Sequence, residues 1–298
     1  MAIELERQLA EFVNRDDEME IFREVLEADD KPIMVVYGEG GVGKSWLLAR
    51  MIHECAIRKL RKSEVIWTDT RNHDYLAIMR KIRDDLEVDY FKSFTDLVNY
   101  FTVPKYELQI RTDSIGSVSV ASSAQIENSS INDIAGIVIK DLMLIMPRSD
   151  MAVPETERMA RLTDTFIDNL AVMLKTGPML VVFFDAVEKM TENTRKWVWG
   201  ELLRSLSGGR LNNIKFVLCG REEPSLDRDL QVIVEETKLM PLALENIIDY
   251  LAKRGVGESS RRDLAVMLLV TTKGNPLQIA TLVDGFLKMQ AKKLRAYG

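Results

Sequence analysis

Apolar residues along the chain fall into two alternating patterns, stretches at helical spacing and short, nearly continuous β-branched or aromatic runs. In residues 10–26 the positions Phe12, Met19, Phe22, Val25 and Leu26 recur at helical spacing, and Asp29, Asp30 and Pro32 end the pattern, which predicts an N-terminal helix. The run PIMVVYG that follows predicts a strand closing on glycine. After a glycine-rich loop, residues 45–61 read as a helix. A second strand is predicted at 65–68, with amphipathic helices at 75–86 and 93–101 and another at 155–174 that stops at Gly177 and Pro178. MLVVFFD then reads as a buried parallel strand ending in a carboxylate, residues 191–206 as a helix capped by Thr191, and IKFVLCG as a further buried strand. From Leu242 onward only helices are predicted, around 245–253, 259–270 and 276–293.

Continuous apolar strands separated by helices imply an α/β core, a parallel sheet covered by helices on both faces, followed by a smaller all-helical unit. The expected organisation is an N-terminal helical segment at 1–31, the α/β core at 32–237 and the helical unit at 238–298. Between Pro104 and Asp133 the composition shifts to Ser, Asn, Thr and Gly with an alternating piece at 115–120, so an insertion, extending to about 104–149 and containing a hairpin, is expected within the core. No solenoid or propeller repeat and no long heptad run is present.

Composition narrows the field only slightly. Apolar residues make up 46% and charged residues 29% of the 298 positions, enough for a buried core. The formal charge of −6 gives no sequence-wide attraction to nucleic acid or an anionic membrane, and the basic stretch 58–62 reads as a solvated helix end. Cys55 and Cys219 lack CxxC spacing, and His53 and His73 have no partners at metal-ligand spacing, so neither a disulfide framework nor a zinc site is suggested. The acidic N-terminus has no signal-peptide core and the longest apolar run is far too short to span a bilayer; a soluble, cytoplasmic protein is expected.

The chemistry is concentrated in two places. GEGGVGKS, residues 38–45, fits G-x-x-x-x-G-K-[ST] and lies between an apolar strand and a helix, the context this phosphate loop requires. On average residue usage a chance match in a chain this long has a probability of about 1 in 100 before that context is imposed. Gly38, Gly40, Gly41, Val42 and Gly43 would present backbone N–H groups to a β-phosphate without obstructing side chains. Lys44 would meet the β- and γ-phosphates, Ser45 would place a hydroxyl on Mg2+, and Trp46 follows in the first helical turn. The pattern predicts ATP or ADP with Mg2+ as the bound species. The second place is VVFFDAVEK, where the strand delivers Asp185 to the sheet edge beside the loop as the expected magnesium partner, through water. Glu188 is expected to orient or deprotonate the attacking water; the lesser alternative is a solvated residue after the strand, since its placement depends on the turn.

These motifs, taken in order, resemble the STAND class of signal-transducing P-loop ATPases with its NACHT and NB-ARC members. FVNRDDE at 12–18 is similar to the family's N-terminal Phe-Gly-Arg-acidic motif, with Asn14 where glycine is usual, and the resemblance implies that Arg15 approaches the nucleotide. Asp185-Ala186-Val187-Glu188 resembles the NACHT form, with Lys189 replacing an expected acid. FVLCGRE resembles the strand that ends in a γ-phosphate-sensing arginine, here Arg221. Residues 238–251 resemble the opening of the family's helical lid, and KGNPLQIA its G-x-P motif, which implies that Pro276 packs on adenine. The resemblance implies a nucleotide-controlled switch with slow hydrolysis and self-association in the ATP state. The chain carries neither a winged-helix domain nor sensor repeats nor an N-terminal effector domain, so these are expected on a missing part of the protein or on partner proteins. An AAA-like motor or loader acting on nucleic acid or protein is the alternative; Ala186 stands where such a motor carries a glutamate. A small-molecule kinase would need an acceptor pocket and an arginine-bearing lid for which no convincing candidate exists.

Overall fold

A computed structural model describes residues 13–68, 74–102, 107–110, 118–120, 142–145 and 153–297. These residues group into two compact units. One takes in the described residues up to Tyr90 together with those from Leu170 on, and the other falls within Phe91–Asn169.

The larger unit is built on a six-stranded parallel sheet. In chain order its strands are β1 (Ile33–Tyr37), β2 (Arg61–Lys62), β3 (Ile66–Trp67), β7 (Leu180–Asp185), β8 (Ile214–Gly220) and β9 (Val234–Lys238). In space β2 and β3 both pair with β7, then β8, β1 and β9 follow in turn. Every pairing is parallel, with Ile33 opposite both Phe216 and Val234 and Leu180 opposite Ile214. β7 and β8 are buried along their whole length, as their unbroken apolar sequences require when both faces are covered. Helix α1 (Asp16–Glu27) lays Met19, Phe22, Val25 and Leu26 on one face, and α2 (Lys44–Ile57) lays Leu47, Leu48, Met51 and Cys55 there. The Phe22 and Phe183 rings stand 6.4 Å apart. Each such fully buried side chain contributes roughly 1.5–3 kcal/mol.

The first helix among the described residues begins at Asp16, and the predicted start at residues 10–12 lies outside them. Among the described residues, Val13 to Arg15 are not helical, and Asn14 and Arg15 both have positive φ, 57° and 89°. The predicted helix 45–61 ends at Ile57, because the chain turns to give Arg61 and Lys62 to the sheet. The basic stretch there is paired rather than merely solvated, Arg58 with Glu27 and Glu54 and Arg61 with Glu87. The predicted helix 191–206 is α6 (Glu192–Trp197), a π-turn at Val198–Leu202 and α7 (Arg204–Ser207); Thr191 caps α6, accepting from the Thr194 N–H at 3.2 Å. The strand β9 has no counterpart in the sequence pattern. Its VEETK sequence is polar because it is an edge strand, partly exposed, and it follows the short helix α8 (Arg228–Ile233) directly. Helix α3 (Tyr75–Asp85) completes this unit, with Tyr75 and Trp197 in ring contact at 6.3 Å.

Three C-terminal helices, α9 (Leu244–Lys253), α10 (Glu258–Thr272) and α11 (Pro276–Tyr297), form a lid around a separate core of Leu242, Ile247, Leu251, Ala265, Leu268, Ile279 and Val283. The smaller unit contains α4 (Lys92–Thr102), most of α5 (Glu155–Leu174) and a three-stranded antiparallel sheet of β4 (Glu107–Ile110), β5 (Val118–Val120) and β6 (Leu142–Ile145), with β4 in the middle. Phe94 and Phe166 meet edge to face at 5.3 Å. The expected hairpin corresponds to β4 paired with β5, Leu108 opposite Val120, while most of residues 104–149 lie outside the described residues. Among the described residues no helix is long and apolar enough to cross a membrane.

Candidate functional site

In an open parallel sheet, ligands bind outside the carboxyl ends of the strands. At this edge β1 runs into the glycine-rich loop, β7 ends in Asp185 and β8, lying between them, runs into Arg221. The interposed β8 leaves a gap of one strand between loop and carboxylate, and in that gap the Ser45 hydroxyl donates to Asp185 Oδ2 at 2.7 Å. Helix α2 starts at Lys44 behind Gly43, whose φ of 102° turns the chain into the helix. The Lys44 ammonium lies across the loop, donating to the carbonyls of Gly38 at 2.6 Å and Glu39 at 2.9 Å. Burial lowers its pKa, and the Asp185 and Glu188 carboxylates oppose that shift.

Asp185 is 4% exposed. Burial pushes its carboxyl pKa up, against the Ser45 hydrogen bond and the Ala186 N–H, which donates to Oδ1 at 2.8 Å. The turn after it is unusual: Ala186 sits at φ 60°, in the left-handed region. Thr68, completely buried at the end of β3, holds that turn. Its hydroxyl lies 3.0 Å from the Asp185 carbonyl oxygen and 2.6 Å from that of Ala186, and its N–H donates to the former at 3.3 Å. The sequence marks Thr68 only as a strand end; a hydroxyl there is an ordinary strand residue, and the signal lies in the pairing of β3 with β7.

Glu188 follows in a 3-10 turn, Val187–Lys189. Arg221 Nε stands 3.2 Å from Glu188 Oε1 in an ion pair. Glu188 Oε2 is buried and has no hydrogen-bond partner. The other end of the Arg221 side chain reaches the phosphate loop: Nη2 is 3.9 Å from where a Cβ on Gly40 would stand. Glu188 and Arg221, read from separate segments, are therefore in direct contact.

From Lys44 and Ser45 a cavity of about 370 Å³ extends away from the sheet. One wall is the loop and Trp46, the second is Val13 and Arg15 ahead of α1, and the third is the lid, through Leu242, Tyr250, Pro276, Leu277, Ile279 and Ala280. The Arg254 guanidinium lies over the Tyr250 ring and pairs with Asp284, which fixes that wall. Pro276 and Trp46 thus line the cavity. Arg15 lines it too, with both terminal nitrogens bonded to protein: Nη2 to the carbonyls of Val42 at 3.0 Å and Met240 at 2.7 Å, and Nη1 to Glu18 at 3.2 Å. The lid touches the loop directly. Asn275 Nδ2 donates to the Gly40 carbonyl at 2.9 Å and the Leu277 N–H to the Gly41 carbonyl at 3.2 Å. Gly274 permits this approach: its φ is 77°, and a Cβ there would stand 2.3 Å from the Leu242 carbonyl oxygen.

A family model described as an AAA ATPase domain matches residues 11–217. The chain belongs to this family. It is accordingly a P-loop ATPase domain, and such domains bind ATP or ADP with Mg2+ and hydrolyse ATP. No curated protein matches the sequence. Among solved structures, this AAA ATPase domain is similar to Cdc6p from Pyrobaculum aerophilum, 13% identical, with a TM-score of 0.52 over 95% of this chain and 64% of that one. It is also similar to a Signal Transduction ATPase with Numerous Domains from Pyrococcus horikoshii that has a tetratricopeptide repeat sensor, 16% identical, TM-score 0.45, covering 90% of this chain and 29% of that one. A third is the Aeropyrum pernix ORC1 protein in complex with DNA, 12% identical, TM-score 0.45, covering 95% and 61%. The chain spans less than two thirds of the length of each. At these identities the likeness to Cdc6p concerns the fold.

The residues fit magnesium. Ser45 and Asp185 are hard oxygen donors in contact beside the phosphate loop. Among the described residues no group of three or more His, Cys, Asp or Glu could hold a metal ion unaided, so the ion would rely on phosphate and water oxygens for the remainder of its coordination.

Proposed function

We propose that this AAA ATPase domain is the ATP- and ADP-binding core of a STAND-type switch in the cytoplasm, in which slow hydrolysis controls the placement of the lid and self-assembly. The observation that carries the reading is the shared cavity: its walls come from the phosphate loop, the segment before α1 and the lid, so a nucleotide there would belong to all three. A ligand shifts a conformational equilibrium only as far as it binds the two states differently. A nucleotide placed across this joint satisfies that condition.

In the proposed mechanism the loop N–H groups and the α2 N-terminus hold the β-phosphate, and Lys44 leaves the loop carbonyls for the β- and γ-phosphates. Magnesium, held through Ser45 and, by way of water, Asp185, would neutralise charge on the phosphates. Glu188 orients or deprotonates the attacking water. Arg221 is the element that distinguishes ATP from ADP: paired with Glu188, it has the loop within reach, and a γ-phosphate offers its guanidinium a more highly charged partner. Drawing Arg221 away frees the Glu188 carboxylate at the moment a triphosphate is present. Ala186, in place of a glutamate directly after Asp185, and Lys189, in place of a further acid, support low turnover.

The test is to identify the nucleotide retained after gentle purification and to compare solution size and shape with ADP and with a nonhydrolysable ATP analogue. Identical assembly and shape in both sink the switch reading. A loader acting on nucleic acid draws on the same family membership; hydrolysis accelerated by DNA or RNA would favour it.

A further inference from the structure

Three consecutive carbonyls of the phosphate loop are engaged by groups that belong to the lid or lead to it. Gly40 accepts from Asn275 Nδ2 and Gly41 from the Leu277 N–H, at 2.9 and 3.2 Å. Val42 accepts from Arg15 Nη2, and the same nitrogen bonds Met240 in the segment that leads into the lid. A trans peptide is planar, with its C=O and N–H pointing in opposite directions. The N–H groups of the same three peptides belong to Gly41, Val42 and Gly43; that of Val42 donates back to the Glu39 carbonyl within the loop at 3.4 Å, and those of Gly41 and Gly43 point away from the lid-side partners of their carbonyls.

Asn275 is oriented for this contact. Its Oδ1 accepts from the Gln278 N–H at 3.2 Å, capping α11, which turns the amide NH2 toward Gly40. The fit is tight: Gly41 has φ 80°, and a Cβ on it would stand 2.8 Å from Asn275 Oδ1.

We propose that phosphate binding and lid docking are coupled through the Gly40–Gly41 and Val42–Gly43 peptide groups, with Asn275 as the positioning residue, so that a polyphosphate without a base is enough to hold the lid closed. A phosphate accepting from one side of a peptide polarises it and makes the carbonyl on the other side a stronger acceptor. Because linkage is reciprocal, a docked lid strengthens phosphate binding by the same factor. The base then fills a cavity that the phosphates have already shaped. This coupling rests on the nucleotide reading above and adds to it that the signal passes through the loop backbone rather than through the adenine wall.

Hydrogen exchange of the α9 and α10 amides would test it on the whole chain with Mg2+, comparing ATP, inorganic tripolyphosphate and adenosine at concentrations chosen by competition against labelled ATP. Tripolyphosphate is expected to protect the lid nearly as well as ATP, and adenosine to leave it unchanged. Asn275→Ser keeps a capping side chain but cannot span to Gly40; it should melt like the wild type while tripolyphosphate protection and ATP affinity both fall by about tenfold. Lid protection by adenosine but not by tripolyphosphate, failure of tripolyphosphate to compete with ATP, or a wild-type response in Asn275→Ser overturns the proposal. A wild-type protein that binds no ATP removes the nucleotide reading and this coupling together.

Discussion

The two ends of the cavity are built differently. The phosphate end is polar, lined by the loop backbone, the Lys44 ammonium and the Ser45 hydroxyl, and behind it Ser45 bonds Asp185 and Glu188 pairs with Arg221. The far end is apolar, walled by Val13, Leu242, Tyr250, Pro276, Leu277 and Ile279 from opposite ends of the chain. Charge stabilisation requires particular groups at particular spacings, whereas an apolar wall requires only volume. Loss of a single side chain should therefore matter far more at the first end than at the second.

Lys44→Ala is the severest test, with ATP affinity in calorimetry expected to fall about a hundredfold or more as an ammonium is removed from a desolvated phosphate site. Undiminished binding would mean that the polar end is not where the triphosphate sits. Next, Glu188→Gln should retain ATP while single-turnover hydrolysis drops by about two to three orders of magnitude, and Arg221→Ala should reduce the preference for ATP over ADP. At the apolar end, Val13→Ala should weaken ATP binding by only about threefold to tenfold, the effect of trimming one partly buried side chain. A loss there equal to that of Lys44→Ala would erase the contrast.

The smallest effect concerns the empty protein. Burial raises the Asp185 carboxyl above its ordinary value, so the native state binds that proton more tightly than the unfolded chain does. Its contribution to stability therefore falls as pH rises from the ordinary carboxylate value through the raised one. Asp185→Asn removes this slope, and in thermal melts without nucleotide it should be more stable than the wild type toward neutral pH while losing magnesium-dependent hydrolysis. A less stable variant at neutral pH would show that the carboxylate holds the empty site together.

Legibility in the sequence follows the same contrast. The loop at residues 38–45 and the strand that ends in Asp185 were readable as local patterns, a G-x-x-x-x-G-K-[ST] run between strand and helix and an apolar run closing on a carboxylate, and the structure brings Ser45 and Asp185 into contact. The parallel α/β core and the helical C-terminal unit were readable from periodicity. The sequence could not reveal β9, whose edge position relaxes the demand for apolar residues, nor the order that inserts β8 between β1 and β7. Thr68 and Asn275 were invisible as site residues because their partners are backbone carbonyls distant in sequence, and backbone carries no signature of its own. Arg15 was singled out through the family resemblance, yet its hydrogen bonds run to the loop and the segment leading to the lid.

The left-handed Ala186 ties the turn mechanically to β3. Ala186 already holds a conformation that costs any residue with a Cβ roughly 1–2 kcal/mol, and the Thr68 hydroxyl, 2.6 Å from its carbonyl oxygen, braces that turn. Loosening the end of β3 would therefore loosen the turn that follows Asp185 as well. Local strain next to the carboxylate is thus borne by a neighbouring strand rather than by the turn itself.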